Sequence, residues 1–329
     1  MALKLGLYWI PGDIRRAVDL VRLADDAGFP IFGVCDSPIL YEDAYPVITA
    51  CLAATTSIEI GPNMTNPVTR HWSIHAATLR AHDHLAPGRA MLGIAAGDGA
   101  VHSLGLRPTD DTTFEDAVQQ IRKAAPGCGR IHIAAGGPRR ARLAGRLADA
   151  ALLGCGLDVT ALRALGDALD LGCLEEHMGG RRVERWAMAH LNIVESERDL
   201  EAARAATLPL AVAYARHAFS TSFASKNVPP EFQQPFRERL AAYRFTSHAV
   251  PGGDNPNARL LADRPDLEDY AMTRFTIVGT ADQCRARIAR VADEANLDGL
   301  WLSIVVPDPE ILVQRAAEAF HDLLNPEAR

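Results

Sequence analysis

Two carboxylates stand directly after predicted strands, where they could take part in acid–base chemistry. Asp36 closes the apolar run IFGVCD, and Asp98 follows the apolar run AMLGIAA. A carboxylate beside a bound ring can orient that ring, or it can hold a proton where burial raises its pKa. The alternative is a local role, because Asp also caps helices and forms turns. The sequence alone leaves both roles open.

A strand, two glycines and a helix form the second candidate feature. In the segment IHIAAGGPRRARL, Gly136 and Gly137 end the strand, and Pro138 can take the first helical position. Free N–H groups at a helix N-terminus bind phosphate readily, and Arg139 and Arg140 could add charge-assisted hydrogen bonds. An ordinary tight turn has the same pattern, so phosphate binding is one of two interpretations.

Four histidines fall within the stretch predicted as a helix at 71–86. His71 and His75 are four residues apart, and His82 and His84 follow. Such spacing can hold a metal ion, but no carboxylate-rich segment completes a site. We therefore interpret them as surface or interhelical histidines. The sequence also lacks the GxSxG, Walker and HExxH motifs of other enzyme classes.

Short β-branched runs alternate with amphipathic stretches of helical length, which is typical of parallel βα units. We predict strands at 3–10, 31–36, 58–64, 90–96, 131–135, 150–155, 186–194 and 298–305. We predict helices at 14–27, 44–54, 71–86, 113–124, 139–148, 160–171, 197–217, 281–295 and 309–323. Eight such units predict a single (β/α)₈ TIM barrel over residues 1–329, with its active site at the carboxyl ends of the strands.

Two features complicate this count. A ninth strand candidate, RFTIVG, occupies 274–279, and an irregular segment near 220–273 is rich in Ser, Pro, Gly and Asn. A long irregular excursion of this kind usually forms a lid or a binding loop. A doubly wound open sheet is the alternative fold, but it would carry GxGxxG after the first strand, where this chain has WIPGD.

Composition narrows the function classes. The 329 residues are 48% hydrophobic and 23% charged, and the formal net charge is −7. A protein that binds nucleic acid needs a basic face, and the net negative charge of this chain disfavours one. No run approaches the roughly 20 apolar residues of a membrane span. The six cysteines show no CxxC pair, which favours free thiols in a reducing cytoplasm. We expect a cytoplasmic enzyme.

Residues 58–108 resemble the luciferase-like flavin-dependent oxidoreductase superfamily, and within it the methylenetetrahydromethanopterin reductase branch. The resemblance rests on TNPVTRH, the GR turn and GDGAVHSLG, which follow one another in the order and spacing of that branch. The segments IHIAAGGPRRARLAGRLADAALLGCG and RFTIVGTADQCRARIARVADEANLDGLWL are similar to further parts of it. The similarity covers most of the chain except roughly 158–270.

The resemblance implies a TIM barrel with FMN, or the deazaflavin coenzyme F-420, at the mouth of the barrel. It also implies that 274–279 leads into the helix at 281–295, leaving 299–305 as the eighth strand. A non-proline cis peptide between Asn63 and Met64 is expected behind the coenzyme ring. The positions it places at the coenzyme are Asp36, Ser37, Met64, Thr65, Asn66, Ala96, Gly97, Asp98, Gly136, Gly137, Cys155 and Gly156, with Asp36 and Asp98 as the catalytic candidates.

Three functions are compatible with this resemblance. The favoured one is an FMN-dependent monooxygenase that oxygenates a small organic substrate, with reduced FMN supplied by a separate flavin reductase. The alternative is hydride transfer between coenzyme F-420 and a substrate. The third is a non-catalytic flavin-binding barrel. A homodimer or a larger homo-oligomer is expected in each case. Many flavin monooxygenases of the superfamily have a histidine after the second strand, where this chain has Asp36-Ser37, so a histidine-based oxygen mechanism does not transfer directly.

Overall fold

A computed structural model describes residues 3–175, 182–248 and 255–325 of the chain. Its described residues contain nine strands, all paired in parallel. The strands are β1 Lys4–Trp9, β2 Ile31–Val34, β3 Glu59–Pro62, β4 Met91–Ile94, β5 Arg130–Ala135, β6 Ala150–Leu153, β7 Glu184–Ile193, β8 Thr276–Gly279 and β9 Gly299–Ser303.

Eight of these strands form a barrel in the order β3-β2-β1-β9-β7-β6-β5-β4. Two parallel bridges close the seam between β3 and β4, and they join Ile60 to Ala90 and Thr65 to Ile94. The Thr65 N–H donates to the Gly93 carbonyl at 2.9 Å within this seam. The predicted TIM barrel is confirmed.

The ninth strand lies outside the closed circuit but is a true strand. β8 pairs with the carboxyl-terminal half of β7, and His190 faces Thr276 on one edge of β7 and Ser303 on the other. β6 pairs only with the first residues of β7, which leaves this stretch of the β7 edge for β8. The expected eight-strand circuit is therefore correct, and the segment 274–279 additionally extends the sheet beside β7.

The helices that follow the barrel strands pack on the outside of the barrel, because they carry an apolar stripe on one face. In the first helix, Asp13 accepts a hydrogen bond from the Arg15 N–H, while Ala17, Leu20 and Val21 are buried. The helices are α1 Ile14–Asp26, α2 Ala44–Ala54, α3 Trp72–Leu85, α4 Gly99–His102, α5 Asp111–Ala124, α6 Pro138–Leu147, α7 Val159–Glu175, α8 Leu200–Phe219, α9 Pro230–Leu240, α10 Pro265–Phe275, α11 Ala281–Ala295, α12 Pro309–Ala319 and α13 His321–Leu324. No helix in the described ranges has the length and apolarity to cross a membrane.

Two tryptophans fill the middle of the barrel. Trp186 of β7 and Trp301 of β9 lie with ring centroids 5.3 Å apart, and both are fully buried. Glycines on neighbouring strands make room for them: a Cβ at Gly299 would lie 2.4 Å from Trp186, and one at Gly6 would lie 2.7 Å from Trp301. The barrel is thus a packed core below its mouth.

The segment predicted as an irregular excursion near 220–273 contains more regular structure than expected. Its described residues include α9 and α10, and a second hydrophobic cluster joins them to α8 through side chains such as Phe219, Phe236 and Phe275. Residues 249–254, within the predicted excursion, lie outside the described part of the chain. The described excursion packs as a small helical layer with its own apolar core.

Candidate functional site

A hollow opens at the carboxyl ends of the strands. Tyr8, Met64, Ala134 and Met188 pack against the cluster that fills the barrel interior, yet each retains some exposure to solvent. Residues that face the inside of a closed barrel reach solvent only through its mouth, so these four side chains line a recess there. Its lining is mostly apolar, which suits a flat, uncharged ring.

Asp36 lies at the end of β2 with its side chain fully buried. Arg70 contacts both carboxylate oxygens, with Nε 3.0 Å from Oδ2 and Nη2 2.8 Å from Oδ1. The Thr65 hydroxyl donates a third hydrogen bond to Oδ2 at 2.6 Å. The hydrogen bond to Asp36 raises the pKa of Arg70. The carboxylate is thus an anchor for the loop after β3, with both oxygens already engaged.

The residues after β3 form a tight loop at the mouth. The peptide bond between Asn63 and Met64 is cis, as expected. The Asn66 side-chain oxygen accepts hydrogen bonds from the Val68 and Thr69 N–H groups at 3.1 and 2.8 Å. Thr65 and Asn66 are buried whereas Met64 is partly exposed, so the loop presents Met64 to the hollow. Ser37 is buried on the other side, where its hydroxyl lies 3.9 Å from the Cys35 sulfur.

Asp98 follows β4 and is held by α8. Arg216 pairs with Oδ1, and His217 Nδ1 lies 2.7 Å from Oδ2. Burial alone would raise the pKa of Asp98, but the hydrogen bond from His217 and the charges of His217 and Arg216 hold it well below its usual range. Asp98 makes no side-chain cap to α4, so the expected alternative of a helix cap is wrong here. Its carboxylate joins the barrel mouth to α8.

The loop after β4 continues from the mouth through two small residues. The Ala96 carbonyl accepts a hydrogen bond from the Thr109 N–H at 3.0 Å. Gly97 has φ +99, a conformation that favours glycine, and a Cβ there would lie 2.3 Å from Val101. Both residues are partly exposed, so their backbone borders the hollow.

The turn after β5 has the geometry expected of an anion-binding loop. Gly137 precedes α6 without a side-chain cap, and Pro138 begins that helix. A Cβ at either Gly136 or Gly137 would meet nothing within 4 Å, so the space in front of the turn is open. The neighbouring arginines differ: the Arg139 side chain is 93% exposed, whereas Arg140 Nη2 pairs with Asp111 at 2.5 Å.

Cys155 and Gly156, which follow β6, lie deeper than the other candidates. Both are buried, and the Cys155 carbonyl accepts a hydrogen bond from Arg274 Nε at 2.8 Å. A Cβ at Gly156 would lie 2.6 Å from the Arg274 carbonyl. The structure packs these two residues against the end of α10, and the preceding Gly154 lies beside Gly136.

Two histidines of α3, His75 and His82, contact α2, whereas His84 is exposed. His75 Nδ1 lies 2.5 Å from the Tyr45 hydroxyl, and His82 Nε2 lies 2.9 Å from the Thr49 hydroxyl. Burial lowers the pKa of each imidazole to about 4. The described residues contain no group of three or more ligating side chains that could hold a metal ion.

The sequence did not reveal a set of polar side chains at the mouth that come from β1, β7, β9 and α8. His190 Nδ1 of β7 lies 3.3 Å from the Ser303 hydroxyl of β9, and the Tyr214 phenol of α8 lies near Ser303. Tyr8 of β1 lies beside Cys35, and burial raises the pKa of the Tyr8 phenol. The register that pairs Tyr8 with Ser303 and Ser303 with His190 was the signal available, but it requires knowledge of which strands are neighbours.

The residues present fit a flavin-type coenzyme. The recess lined by Tyr8, Met64 and Met188 offers an apolar surface for a ring, and the uncrowded Gly136-Gly137 turn before α6 leaves room for an anion at the helix N-terminus. Both features lie at the carboxyl ends of the barrel strands, where TIM-barrel enzymes bind their ligands. Neither observation distinguishes a flavin from a deazaflavin.

Comparison with known sequences agrees with this geometry. A curated 5,10-methylenetetrahydromethanopterin reductase from Methanolobus tindarius is 24% identical over 320 residues, which cover 88% of this chain and 91% of that protein. The enzyme of the same name from Methanopyrus kandleri is 34% identical over 98 residues, covering 30% of this chain and 28% of that protein.

Comparison with solved structures gives the same fold. The coenzyme F-420-dependent tetrahydromethanopterin reductase from Methanopyrus kandleri superposes with a TM-score of 0.75 at 19% identity, covering 100% of both chains. The EDTA monooxygenase from Chelativorans sp. BNC1 superposes with a TM-score of 0.70 at 13% identity, covering 98% of this chain and 94% of the other.

A family model provides the final comparison. The luciferase-like monooxygenase model matches residues 10–127 and 109–298, which together span most of the chain and include the whole recess except β1 and β9. The chain belongs to the luciferase-like monooxygenase family of oxidoreductases.

Proposed function

We propose that this protein transfers a hydride between coenzyme F-420 and a small organic substrate. The observation that carries the proposal is the similarity, over 88% of the chain, to a methylenetetrahydromethanopterin reductase. The superposition with an F-420-dependent enzyme over the whole of both chains points to the same coenzyme. Hydride transfer needs a reductant and an acceptor held together away from water, and the recess supplies a mostly apolar place for both.

The coenzyme is assigned to this chain's residues by their position around the recess. Met64, Thr65 and Asn66 would border the ring on one side, and Ala96 and Gly97 on another. Gly136 and Gly137 would hold the phosphate. In this assignment Asp36, Ser37 and Asp98 act from behind the loops that contact the coenzyme, and Cys155 and Gly156 support the floor near the phosphate.

The state of the two carboxylates favours this reaction over one that needs a free carboxyl group. Asp36 is paired with Arg70, and Asp98 is paired with Arg216 and His217. Reduced coenzyme supplies the hydride when it is bound. The residues of this chain then have only to orient the reactants, exclude water and provide a hydrogen bond to the polar atom of the substrate.

An FMN-dependent monooxygenase remains a second candidate function, with reduced FMN supplied by a separate flavin reductase. The family model carries a monooxygenase description, and the superposition with the EDTA monooxygenase supports the same fold for that chemistry. The two candidates differ in a simple requirement: oxygenation consumes molecular oxygen, and hydride transfer does not.

The decisive experiment therefore compares the two reductants with and without oxygen. Purified protein is mixed with reduced F-420 or reduced FMN and a panel of aldehydes, ketones and cyclic imines, and substrate consumption is followed by mass spectrometry. We expect consumption with reduced F-420 that continues under strict anaerobiosis and adds two hydrogens to the product. Turnover only with reduced FMN and oxygen, with one added oxygen atom, would assign the second function instead.

A further inference from the structure

One buried imidazole at the mouth of the barrel is only half satisfied. His190 of β7 is fully buried, and its Nδ1 lies 3.3 Å from the Ser303 hydroxyl oxygen. Its other ring nitrogen, Nε2, has no hydrogen-bond partner among the described residues. Buried polar atoms are nearly always paired, and an unpaired one in a native protein calls for an explanation such as a ligand.

The position of His190 places Nε2 beside the recess. Side chains alternate along a strand, so His190 faces the barrel interior together with Met188 and Trp186 of the same strand. Nε2 lies on the far side of the imidazole ring from the backbone and therefore reaches toward the barrel axis. Met188 lies one layer deeper than His190 and is still partly exposed. Solvent that reaches Met188 from the mouth must pass the level of His190.

His190 Nδ1 is paired with a buried hydroxyl. Ser303 of β9 lies 3.3 Å from Nδ1, and the Tyr214 phenol of α8 lies near Ser303. Ser303 is fully buried, whereas Tyr214 is partly exposed. If Ser303 donates its hydroxyl proton to Nδ1, the neutral ring carries its proton on Nε2. Burial lowers the pKa of His190 to about 3, so the ring is neutral near pH 7.

We propose that His190 is a catalytic residue whose Nε2–H donates a hydrogen bond to the oxygen or nitrogen beside the substrate carbon that gains the hydride. Ser303 is a positioning residue that sets the tautomer. This inference rests on the proposed hydride transfer. Met188, an unbranched side chain on the same face of β7, can move to admit the substrate's polar atom.

For a carbonyl substrate, the proposed step adds one hydride and one proton to the C=O group. The carbonyl carbon gains a hydride from the reduced coenzyme, so the C–O π bond is replaced by a new C–H bond and the electron pair moves to oxygen. That oxygen takes the proton from His190 Nε2, while Nδ1 takes the hydroxyl proton of Ser303. Ser303 regains a proton from solvent. After the product leaves, Nε2 takes a proton from solvent while Nδ1 releases its proton through Ser303, which restores the starting tautomer. The substrate is reduced by two electrons, and the imidazole stays neutral throughout.

The test combines two readouts on three variants. His190→Phe keeps an aromatic ring and removes both nitrogens, Ser303→Ala removes the partner of Nδ1, and His132→Phe is the matched control. His132 of β5 is also fully buried with an unpaired Nε2, but it lies lower in the barrel, 3.9 Å from Glu59. Single-turnover hydride transfer from reduced F-420 is measured on the carbonyl panel, and the affinity for F-420 is measured by fluorescence titration.

We expect His190→Phe to slow hydride transfer by a factor of about 10²–10⁴ with unchanged affinity for F-420. In a fourth variant, His190→Ala, added imidazole should restore part of the rate, and folded His132→Phe should keep its rate. A His190→Phe variant with the full rate would overturn the inference and leave the proposed function intact. Wild-type protein that neither binds F-420 nor transfers hydride would overturn both, and that failure is visible before any variant is made.

The second readout does not depend on turnover. In protein labelled with ¹⁵N-histidine, the NMR signals of His190 should show a neutral ring with the proton on Nε2 between about pH 6 and 8, and Ser303→Ala should change that tautomer. A wild-type ring with its proton on Nδ1 would contradict the proposed tautomer, in which Ser303 donates to Nδ1 and the ring proton is on Nε2. Where His190→Phe fails to fold, His190→Gln replaces it in the kinetic test.

Discussion

The pair formed by Asp36 and Arg70 gives the sharpest prediction about stability. The Asp36 side chain is fully buried, and Arg70 supplies two of its three hydrogen bonds. Replacing Arg70 with Met keeps the aliphatic stem and removes the guanidinium. The carboxylate is then left buried with the Thr65 hydroxyl as its remaining side-chain donor.

The expected loss follows from what is left behind. Removing one partner of a buried ion pair typically costs about 3–5 kcal/mol, because the other charge stays uncompensated. We expect a loss of that size in the free energy of unfolding of Arg70→Met. The double variant Asp36→Asn, Arg70→Met should recover part of it, since no charge remains buried. The two single effects should therefore fail to add by about 0.5–3 kcal/mol.

Urea denaturation of the coenzyme-free protein measures these differences. Arg139→Met is the matched control, because its side chain is 93% exposed and its change should stay within about 0.5 kcal/mol. An Arg70→Met variant as stable as this control would refute the interpretation of Asp36 as a structural anchor. Asp36 would then again be a candidate catalytic group.

Three further predictions concern other parts of the molecule. Asp98→Asn should weaken the contacts of α8 with the mouth, because Arg216 and His217 lose a charged partner, and hydrogen exchange of α8 should rise; unchanged exchange would contradict this. Burial raises the pKa of Glu59 to about 7. The stability contributed by its protonated form is complete below the pKa of the unfolded chain and is lost as pH rises through 7. Glu59→Gln should remove that fall in urea titrations from pH 5 to 8, and an identical fall in the variant would refute it. Gly137→Val should leave the fold intact and weaken coenzyme binding at least tenfold, since its side chain enters open space before the turn; unchanged affinity would make the turn a plain connection.

Local sequence patterns were sufficient for the barrel. The run of apolar residues at 31–36 and the helix that Asp13 caps both follow from short-range rules, and the structure has β2 and α1 at those places. The extent of β8 was harder to foresee. A four-residue strand such as Thr276–Gly279 is defined by its partner, the exposed edge of β7, which only the folded chain supplies.

The candidate site was predictable in position and less so in role. Asp36 and Asp98 do end up at the mouth, because strand ends converge there. Their partners come from distant segments of the chain. Arg70 lies 34 residues after Asp36, and Arg216 lies 118 residues after Asp98. A carboxylate's role depends on such partners, so sequence could place these two acids without revealing that both are paired. The sequence could not identify His190 for the same reason, because its unpaired Nε2 is a property of the packed interior.

We propose that this member of the luciferase-like family uses a deazaflavin. Equilibrium titration of the wild-type protein with F-420 and with FMN, in parallel and followed by absorption and fluorescence, tests this proposal most directly. We expect saturable binding of F-420 at stoichiometric amounts, with affinity at least about tenfold higher than for FMN and lost in Gly137→Val. Tight, stoichiometric binding of FMN with no response to F-420 would contradict it.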